Sequence, residues 1–172
     1  MASIKQIIDG IIDAETPDDN PLTPQDERAV VTNYPNDRGG RTQFGIAEKH
    51  NPQAWLDGKV TEAEARAIYE RKYLKPFAGL ESHPAFHQLV DWGVTSGPGL
   101  VIQKLQEIVG AKVDGQLGPA TLAKISKIDP IELNNHLVIS HVLMIGRLIH
   151  RDRRQVENIN GWLSRATKWM IF

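Results

Sequence analysis

The amino-acid sequence predicts a mainly α-helical fold with one small β-hairpin, and three observations support this prediction. Apolar residues recur at helical spacing in several segments, and the first of these contains Ile4, Ile7, Ile8, Ile11 and Ile12. Helix-capping sequences mark where several of the segments begin and end. Between residues 30 and 46, β-branched and aromatic residues flank a glycine-rich turn, which is typical of a hairpin.

The first helix is predicted over residues 3–15, and Pro17 ends it. Glu15 continues the apolar face of this helix, so its carboxyl should lie at the margin of the core. Partial desolvation and the negative end of the helix dipole should both raise the pKa of Glu15. A carboxyl that stays protonated near neutral pH suits a general acid for glycosidic bonds. The alternative is a helix-end glutamate that points into water.

The predicted hairpin has one strand over residues 30–34, a turn over residues 36–40 and a returning strand over residues 42–46. Asp37 in the turn should be exposed and ionised, in contrast to Glu15. The Thr42 hydroxyl could orient a water molecule on the other face of a sugar. The alternatives are an aspartate that bonds its own turn and a threonine that only favours the strand.

The rest of the chain predicts further helices, whose boundaries are marked by caps, prolines and glycines. A capping box formed by Thr61 and Glu64 starts a helix that runs to about Lys72. The next helix starts at Pro84 and stops at a break over residues 96–99, and the helix after the break ends at Gly110. A short helix then runs from Pro119 to about Ile125, and another starts at Pro130. A turn at Asn160 and Gly161 leads into the last helix.

Composition limits the classes of function. The 172 residues suit one domain, or one domain with a small appendage, and the hydrophobic fraction of 41% allows a real core. The absence of cysteine excludes disulfide scaffolds, thiol catalysis and cysteine-based zinc sites. A net charge of -1 gives no signature of nucleic-acid binding. Residues 1–40 contain eight acids, whereas residues 141–172 contain six arginines and lysines.

The beginning of the sequence does not resemble a signal peptide, because Lys5 and Asp9 interrupt the apolar run. No stretch approaches the roughly 18 continuous apolar residues of a membrane span. We therefore expect a protein made in the cytoplasm without stable membrane insertion, whose export would need other proteins.

Several motifs resemble glycoside hydrolase family 108, a family of phage and bacterial N-acetylmuramidases with a lysozyme-like fold. Residues 7–15 read Ile-Ile-Asp-Gly-Ile-Ile-Asp-Ala-Glu, and residues 36–46 read Asn-Asp-Arg-Gly-Gly-Arg-Thr-Gln-Phe-Gly-Ile. Residues 61–69 with Tyr73 and residues 91–98 are similar to the family's next helices. Residues 113–122 and 161–165 resemble its C-terminal peptidoglycan-binding region.

The resemblance implies that the catalytic glutamate is Glu15, and that Asp37 and Thr42 complete the catalytic group. Two features depart from the family pattern. Thr16 follows Glu15 where family members have Gly-Gly-Tyr, and Ala47 follows Gly-Ile where they tend to have threonine. A long segment then separates Glu15 from the hairpin, so Glu27 is the alternative general acid.

Further candidate residues lie outside this catalytic group. Gln43 is a plausible polar contact to an N-acetyl sugar, and Trp92 could line a sugar subsite, although tryptophans are mostly core residues. His83 and His87 have metal-ligand spacing, but Pro84 stands where a metalloprotease motif needs glutamate. We therefore expect no metal and no cofactor.

Together these observations predict a monomeric lysozyme-like peptidoglycan hydrolase. Its expected regions are a catalytic region over residues 1–95 and a helical peptidoglycan-binding region over residues 96–172, which packs on it and holds glycan strands. The expected reaction is cleavage of the β-1,4 bond between N-acetylmuramic acid and N-acetylglucosamine. We expect a phage endolysin that a holin releases to the periplasm. The alternatives are a lytic transglycosylase and a non-catalytic peptidoglycan-binding or virion structural protein.

Overall fold

A computed structural model describes residues 4–15, 30–33 and 40–172, and at residues 14 and 15 it describes the backbone only. Within these residues there are seven α-helices and a single two-stranded antiparallel sheet. The prediction of a mainly α-helical, lysozyme-like fold with one small hairpin is confirmed. The chain forms two compact units, Met1–Lys72 and Tyr73–Phe172. The boundary between these units lies before residue 95, where the sequence analysis ends the catalytic region.

Helix α1 of the first unit spans Ile4–Glu15 and ends where the sequence predicts. Its face is buried at Ile8, Ile11 and Ile12, at the spacing expected for one side of a helix. On its other side, Asp9 forms an ion pair with Arg66. These contacts hold the backbone of α1 in place near its C-terminal end, where Glu15 is the last residue.

The two-stranded sheet begins in the predicted returning strand and ends one residue beyond it. Strands β1 (Thr42–Gln43) and β2 (Ile46–Ala47) pair in antiparallel register around Phe44 and Gly45. Both turn residues have positive φ, 50° and 73°, which is the two-residue turn that matches the twist of paired strands. The segment predicted as one returning strand, residues 42–46, therefore contains both strands of this hairpin except for Ala47.

The strand predicted over residues 30–34 contributes one isolated bridge. Thr32 and Thr42 exchange two backbone hydrogen bonds, of 2.9 and 2.8 Å. This bridge joins residues of the two predicted strands. Of the predicted turn, residues 36–39 lie outside the described residues, and Gly40 has a φ of 75°.

Helix α2 spans Glu62–Tyr69 and begins with the predicted capping box, in which Thr61 and Glu64 satisfy each other's backbone N–H groups. A π-helical turn, Glu70–Leu74, follows and leads into the second unit.

The second unit is helical within its residues 73–172. Helix α3 spans Phe86–Ser96 and packs against α4 and α6, and α7 packs against α6. The other helices are α4 (Pro98–Val109), α5 (Pro119–Ile125), α6 (Pro130–Arg151) and α7 (Ile159–Thr167).

The predicted boundaries of α3 to α6 follow from backbone chemistry. Gly97 (φ 84°) separates α3 from α4, and Gly110 (φ 65°) ends α4 in the left-handed conformation. Proline occupies an early position of α4, α5 and α6, where its missing N–H is not needed.

The last helix differs from its prediction. A 3-10 helix, Arg153–Asn158, runs directly into α7, so Asn160 and Gly161 lie inside the helix rather than in a turn. Trp169 and Met170 follow the helix end. Trp169 is held there by its indole N–H, which donates to Asp91.

No helix in the described part of the chain combines the length and the apolar character that a membrane crossing requires.

Candidate active site

The predicted catalytic threonine lies on the hairpin of the first unit. Thr42 is half-buried in β1, where it pairs with Ala47 on one side and bridges to Thr32 on the other. Its hydroxyl donates a long hydrogen bond of 3.5 Å to the carbonyl of Gly40. The backbone at Thr42 is thus fixed from two sides, which gives its hydroxyl a defined position.

Gln43 is 9% exposed, and its Oε1 accepts a 2.7 Å hydrogen bond from the Val60 N–H. The structure therefore gives this side chain a positioning role, because it ties β1 to the residue before the α2 capping box. Contact between Gln43 and an N-acetyl sugar stays a prediction.

Two aromatic side chains of the same unit hold the turn and β2. The Tyr69 hydroxyl donates to the carbonyl of Phe44 at 3.1 Å, and the Trp55 indole N–H donates to the carbonyl of Ile46 at 3.2 Å. Both aromatic residues are buried. Their contacts stabilise a turn in which Phe44 adopts a backbone conformation that side chains rarely tolerate.

Arg41, at the start of the hairpin, contacts two residues that follow it in the chain. Its guanidinium donates to both carboxylate oxygens of Glu48, at 2.8 and 2.7 Å, and lies 5.0 Å from the centre of the Trp55 ring. This bidentate geometry fixes the residue directly before Thr42.

Three carboxylates of this unit have pKa values that are wrong for a general acid. Hydrogen bonds from Arg66 and Lys5 lower the pKa of Asp9, and the Arg41 guanidinium lowers the pKa of Glu48. Hydrogen bonds from Thr61 lower the pKa of Glu64. An acid catalyst needs a raised pKa, so these three residues serve the structure instead.

The structure describes little of the three carboxylates that the sequence analysis proposes for catalysis. Glu15 is the last residue of α1, with its backbone described but not its side chain. Asp37 and Glu27 lie outside the described residues. The roles of Glu15, Asp37 and Thr42 therefore stay predictions.

Comparison with known families decides the class of the protein. Residues 25–97 match the family model described as glycosyl hydrolase 108, and residues 101–167 match the one described as predicted peptidoglycan domain. The part of the chain over residues 25–97 is therefore similar to glycosyl hydrolase family 108. By this match the protein is a glycoside hydrolase, and the second family match supports peptidoglycan as its substrate or partner.

The bounds of the glycosyl hydrolase 108 match bear on the two candidate acids. The match begins at residue 25, so Glu27 lies inside it and Glu15 lies before it. Asp37, Thr42 and Gln43 also lie inside.

A solved structure supports the fold of this chain. Brucella abortus SagA is similar to it with a TM-score of 0.61 and 24% sequence identity, over 96% of each chain. No curated protein is a significant match.

Trp92 lies in the core of the second unit. Its side chain is 0% exposed, and its ring stacks on His141 with centres 4.4 Å apart and planes 10° apart. Burial lowers the pKa of His141 to about 4. Because neither face of Trp92 is accessible in this structure, its predicted sugar contact has no support from the geometry and stays a prediction.

The two histidines with metal-ligand spacing make other contacts. His83 Nδ1 accepts a 3.1 Å hydrogen bond from the Ala85 N–H, and the His87 ring packs edge-on against Trp169 at 5.7 Å. Burial lowers the pKa of both imidazoles. Among the described residues, no group of three or more metal-ligating side chains comes together.

The residues that hold Thr42 in place were not singled out from the sequence. Tyr69, Trp55 and Arg41 come from separate segments, and only the fold brings them to the hairpin. The dipeptide Phe44-Gly45 was a usable signal, because a glycine between two short polar-apolar runs favours a tight hairpin turn.

Proposed function

We infer that this glycoside hydrolase is an N-acetylmuramidase of family 108, which cleaves the β-1,4 bond between N-acetylmuramic acid and N-acetylglucosamine. One observation carries this proposal: a glycosyl hydrolase 108 region and a peptidoglycan domain follow each other on one chain. The well-braced hairpin with Thr42 at its start supports it, because catalysis needs a rigidly positioned hydroxyl.

In the proposed mechanism a glutamic acid protonates the leaving oxygen while positive charge develops on the sugar. Asp37 stabilises that charge or activates a water molecule, and the Thr42 hydroxyl orients this water. The bridge between Thr32 and Thr42 supports the assignment, because it closes the loop whose sequence includes Asp37.

Glu15 is the proposed general acid, since buried isoleucines anchor α1 up to that residue. Glu27 is the second candidate, and the bounds of the family match favour it. It also lies only five residues before Thr32 in the sequence, whereas a longer segment separates Glu15 from the hairpin.

The test compares Glu15→Gln, Glu27→Gln and the control Glu157→Gln, whose residue is exposed in the second unit. Lysis of Gram-negative cells stripped of their outer membrane is measured at equal concentrations of folded protein. Loss of the general acid should reduce the rate about 10²–10⁴-fold. If Glu27→Gln loses activity and Glu15→Gln keeps it, the assignment of Glu15 as the general acid is wrong. The proposed hydrolase activity would still hold, with Glu27 as the acid.

Product analysis tests the reaction itself. Mass spectrometry of digested cell wall should show ordinary reducing ends at N-acetylmuramic acid. Ends in the 1,6-anhydro form would make the protein a lytic transglycosylase, which needs the acid but no activated water. Retention or inversion of the anomeric carbon depends on the carboxyl separation, about 5 Å for retaining and about 6.5–9.5 Å for inverting enzymes.

The proposal extends to partners and place of action. The protein acts as a monomer on the cell wall, as a phage endolysin released through a holin, and binds neither nucleic acid nor membranes. The helical region over residues 96–172 holds the polymer, and its basic residues support this role.

A further inference from the structure

A surface groove of the second unit lies along the C-terminal half of α6, and we call it the α6 groove. Its volume is about 620 Å³, which is within the range of small-ligand sites, about 300–1,000 Å³. Among the described residues, α6 alone supplies its lining: Val142, Leu143, Gly146, Arg147, His150 and Arg151. All six lie inside the peptidoglycan domain match, residues 101–167.

Gly146 lies within the α6 groove and leaves space there. Glycine is one of the least favourable residues inside a helix, so its presence at this position calls for a physical reason. Packing against the described chain does not supply one, because a Cβ added at Gly146 would meet nothing within 4 Å. The missing side chain instead lets another molecule approach the backbone of α6.

One part of the groove exposes apolar side chains. Leu143 is 53% exposed, and Ile139, one turn before it, is 49% exposed. Val142 is half-buried and lies three residues after Ile139, so these side chains are neighbours on the helix surface. A ligand that covers them removes apolar surface from water, which favours binding.

The arginines of the groove are free to bind an anion. Neither Arg147 nor Arg151 makes a hydrogen bond or an ion pair with any residue that the structure describes. The sequence of α6 contains one acid, Glu132, which lies about four turns before Arg147, on the order of 22 Å along the helix. Asp152, directly after the helix, is engaged by Arg154 at 2.8 Å. The positive charge of the groove therefore has no carboxylate of α6 to neutralise it.

The helix dipole alone does not account for the groove. Its negative end stabilises cations near the end of α6, where the two arginines are. It gives no reason for an unpacked glycine beside them, or for exposed leucine and isoleucine side chains one to two turns earlier. A ligand that combines carboxylates with apolar groups accounts for all three features.

Peptidoglycan has such groups in its stem peptides. The glycan strand is uncharged where the lactyl group of N-acetylmuramic acid forms an amide with the peptide. The carboxylates of the polymer then belong to the stem peptide, on D-glutamate and diaminopimelate, and alanine methyl groups lie next to them.

We propose that the α6 groove binds the acidic stem peptide of peptidoglycan. Arg147 and Arg151, one turn apart, donate to two of its carboxylates, and an alanine methyl group packs on Leu143. The peptide backbone passes over Gly146. The stem peptide is thereby a second point of attachment to the polymer besides the glycan strand. This proposal rests on the proposed function, in which peptidoglycan is the substrate.

The test uses the full chain and two variants of the groove. Gly146→Gln fills the groove with an uncharged side chain, and Gly10→Gln is its control, because Gly10 is also an exposed helix glycine with open space at its Cβ. Glutamine favours helices more than glycine does, so both variants should fold and show a higher Tm than the wild type. Arg147→Gln removes one cation, and Arg71→Gln, at an exposed position of the first unit, is its control.

The probe is acetyl-L-Ala-γ-D-Glu-meso-diaminopimelate, and its binding is measured by NMR titration. We expect Gly146→Gln and Arg147→Gln each to weaken its Kd about 10-fold, while each control changes it less than about 2-fold. The same peptide with amidated carboxyl groups should also bind about 10-fold more weakly, since it lacks the negative charge.

Several results would overturn the proposal. The peptide fails to bind the wild-type chain, the amidated peptide binds equally well, or Gly146→Gln binds the peptide as tightly as Gly10→Gln does. Displacement of the peptide by chitotetraose would make the groove a sugar subsite instead, and equally tight binding of polyphosphate would make it a general anion site. Release of reducing ends from peptide-free glycan strands by the wild-type chain tests the proposed hydrolase activity separately, because those strands carry no stem peptide.

Discussion

Gln43 and Val60 are joined by a buried hydrogen bond of 2.7 Å, in which the backbone N–H of Val60 donates to the side-chain oxygen of Gln43. The contact links β1 to the start of α2, and Val60 itself is almost fully buried. No water can replace the glutamine oxygen at such a site. This amide is therefore one of the contacts that position the hairpin and Thr42 within it.

Replacing this amide should destabilise the first unit. Gln43→Leu keeps the size of the side chain but leaves the Val60 N–H without its acceptor, which costs about 1–3 kcal/mol. Urea unfolding followed by circular dichroism measures the change, and cell lysis should fall as the hairpin loosens. Gln53→Leu, at an exposed position, is the matched control. Equal stabilities of the two variants would show that the bond is unimportant.

Two glycines of the first unit should respond oppositely to alanine. Gly45 has a φ of 73° in the hairpin turn, so Gly45→Ala should cost about 1 kcal/mol or more. Gly10 lies inside α1, and a Cβ added there would meet nothing within 4 Å. Gly10→Ala should therefore stabilise the protein by about 0.5–1 kcal/mol. Thermal unfolding of both variants shows whether each substitution raises or lowers the stability. If Gly45→Ala stabilised the protein, the positive φ assigned to this turn residue would be wrong.

Local sequence signals were sufficient for most helix boundaries, although not for the start of α7. The capping box at Thr61 and the prolines at 119 and 130 act on their own neighbourhoods, so α2, α5 and α6 begin where predicted. The glycines at 97 and 110 likewise end α3 and α4, whereas α2 ends at Tyr69, before the predicted Lys72. The helix end at Glu15 followed in the same way from an apolar face and a nearby proline.

Contacts between distant segments could not be predicted in this way. The turn at Phe44 is stabilised by Tyr69, which is 25 residues away, and the buried Asp91 pairs with Arg165, which is 74 residues away. The glycine-rich run at residues 39–40 indicated a turn as strongly as Gly45 did. Only the pairing of β1 with β2 places the hairpin turn at residues 44–45.

The buried carboxylate of Asp91 should be essential to the second unit. It accepts from Arg165, Lys168 and the Trp169 indole, so it connects α3 to α7 and the segment after it. Asp91→Asn leaves two cations without their partner, which should cost about 3 kcal/mol or more.

Glu107→Gln is the control for Asp91→Asn, because it removes a surface pair with Lys104 and should cost less than about 1 kcal/mol. Denaturant unfolding gives both values. Hydrogen exchange should show α7 opening more easily in Asp91→Asn alone, and unchanged protection of α7 would refute its attachment through this carboxylate.

His141 should make stability depend on pH between about 4 and 6.5. Burial lowers its pKa from 6.5 to about 4 in the folded chain, where it stacks on Trp92 near Asp91 and Arg165. In the unfolded chain the imidazole recovers its ordinary pKa and binds a proton below pH 6.5, whereas the folded chain does not. The free energy of unfolding should therefore fall as the pH drops from 6.5 towards 4, by up to about 3 kcal/mol, and stay level above pH 6.5.

The variant His141→Gln cannot take up this proton, so its unfolding free energy should decline less steeply over the same pH range. His136→Gln, at an exposed position of the same helix, should keep the wild-type slope. Urea unfolding at pH 4.5, 5.5 and 7.5 measures the three slopes, on the order of 1.4 kcal/mol per pH unit for one proton. Comparing slopes rather than absolute values removes any loss of packing against Trp92. If His141→Gln keeps the full slope, the burial of a neutral imidazole is not what links stability to pH.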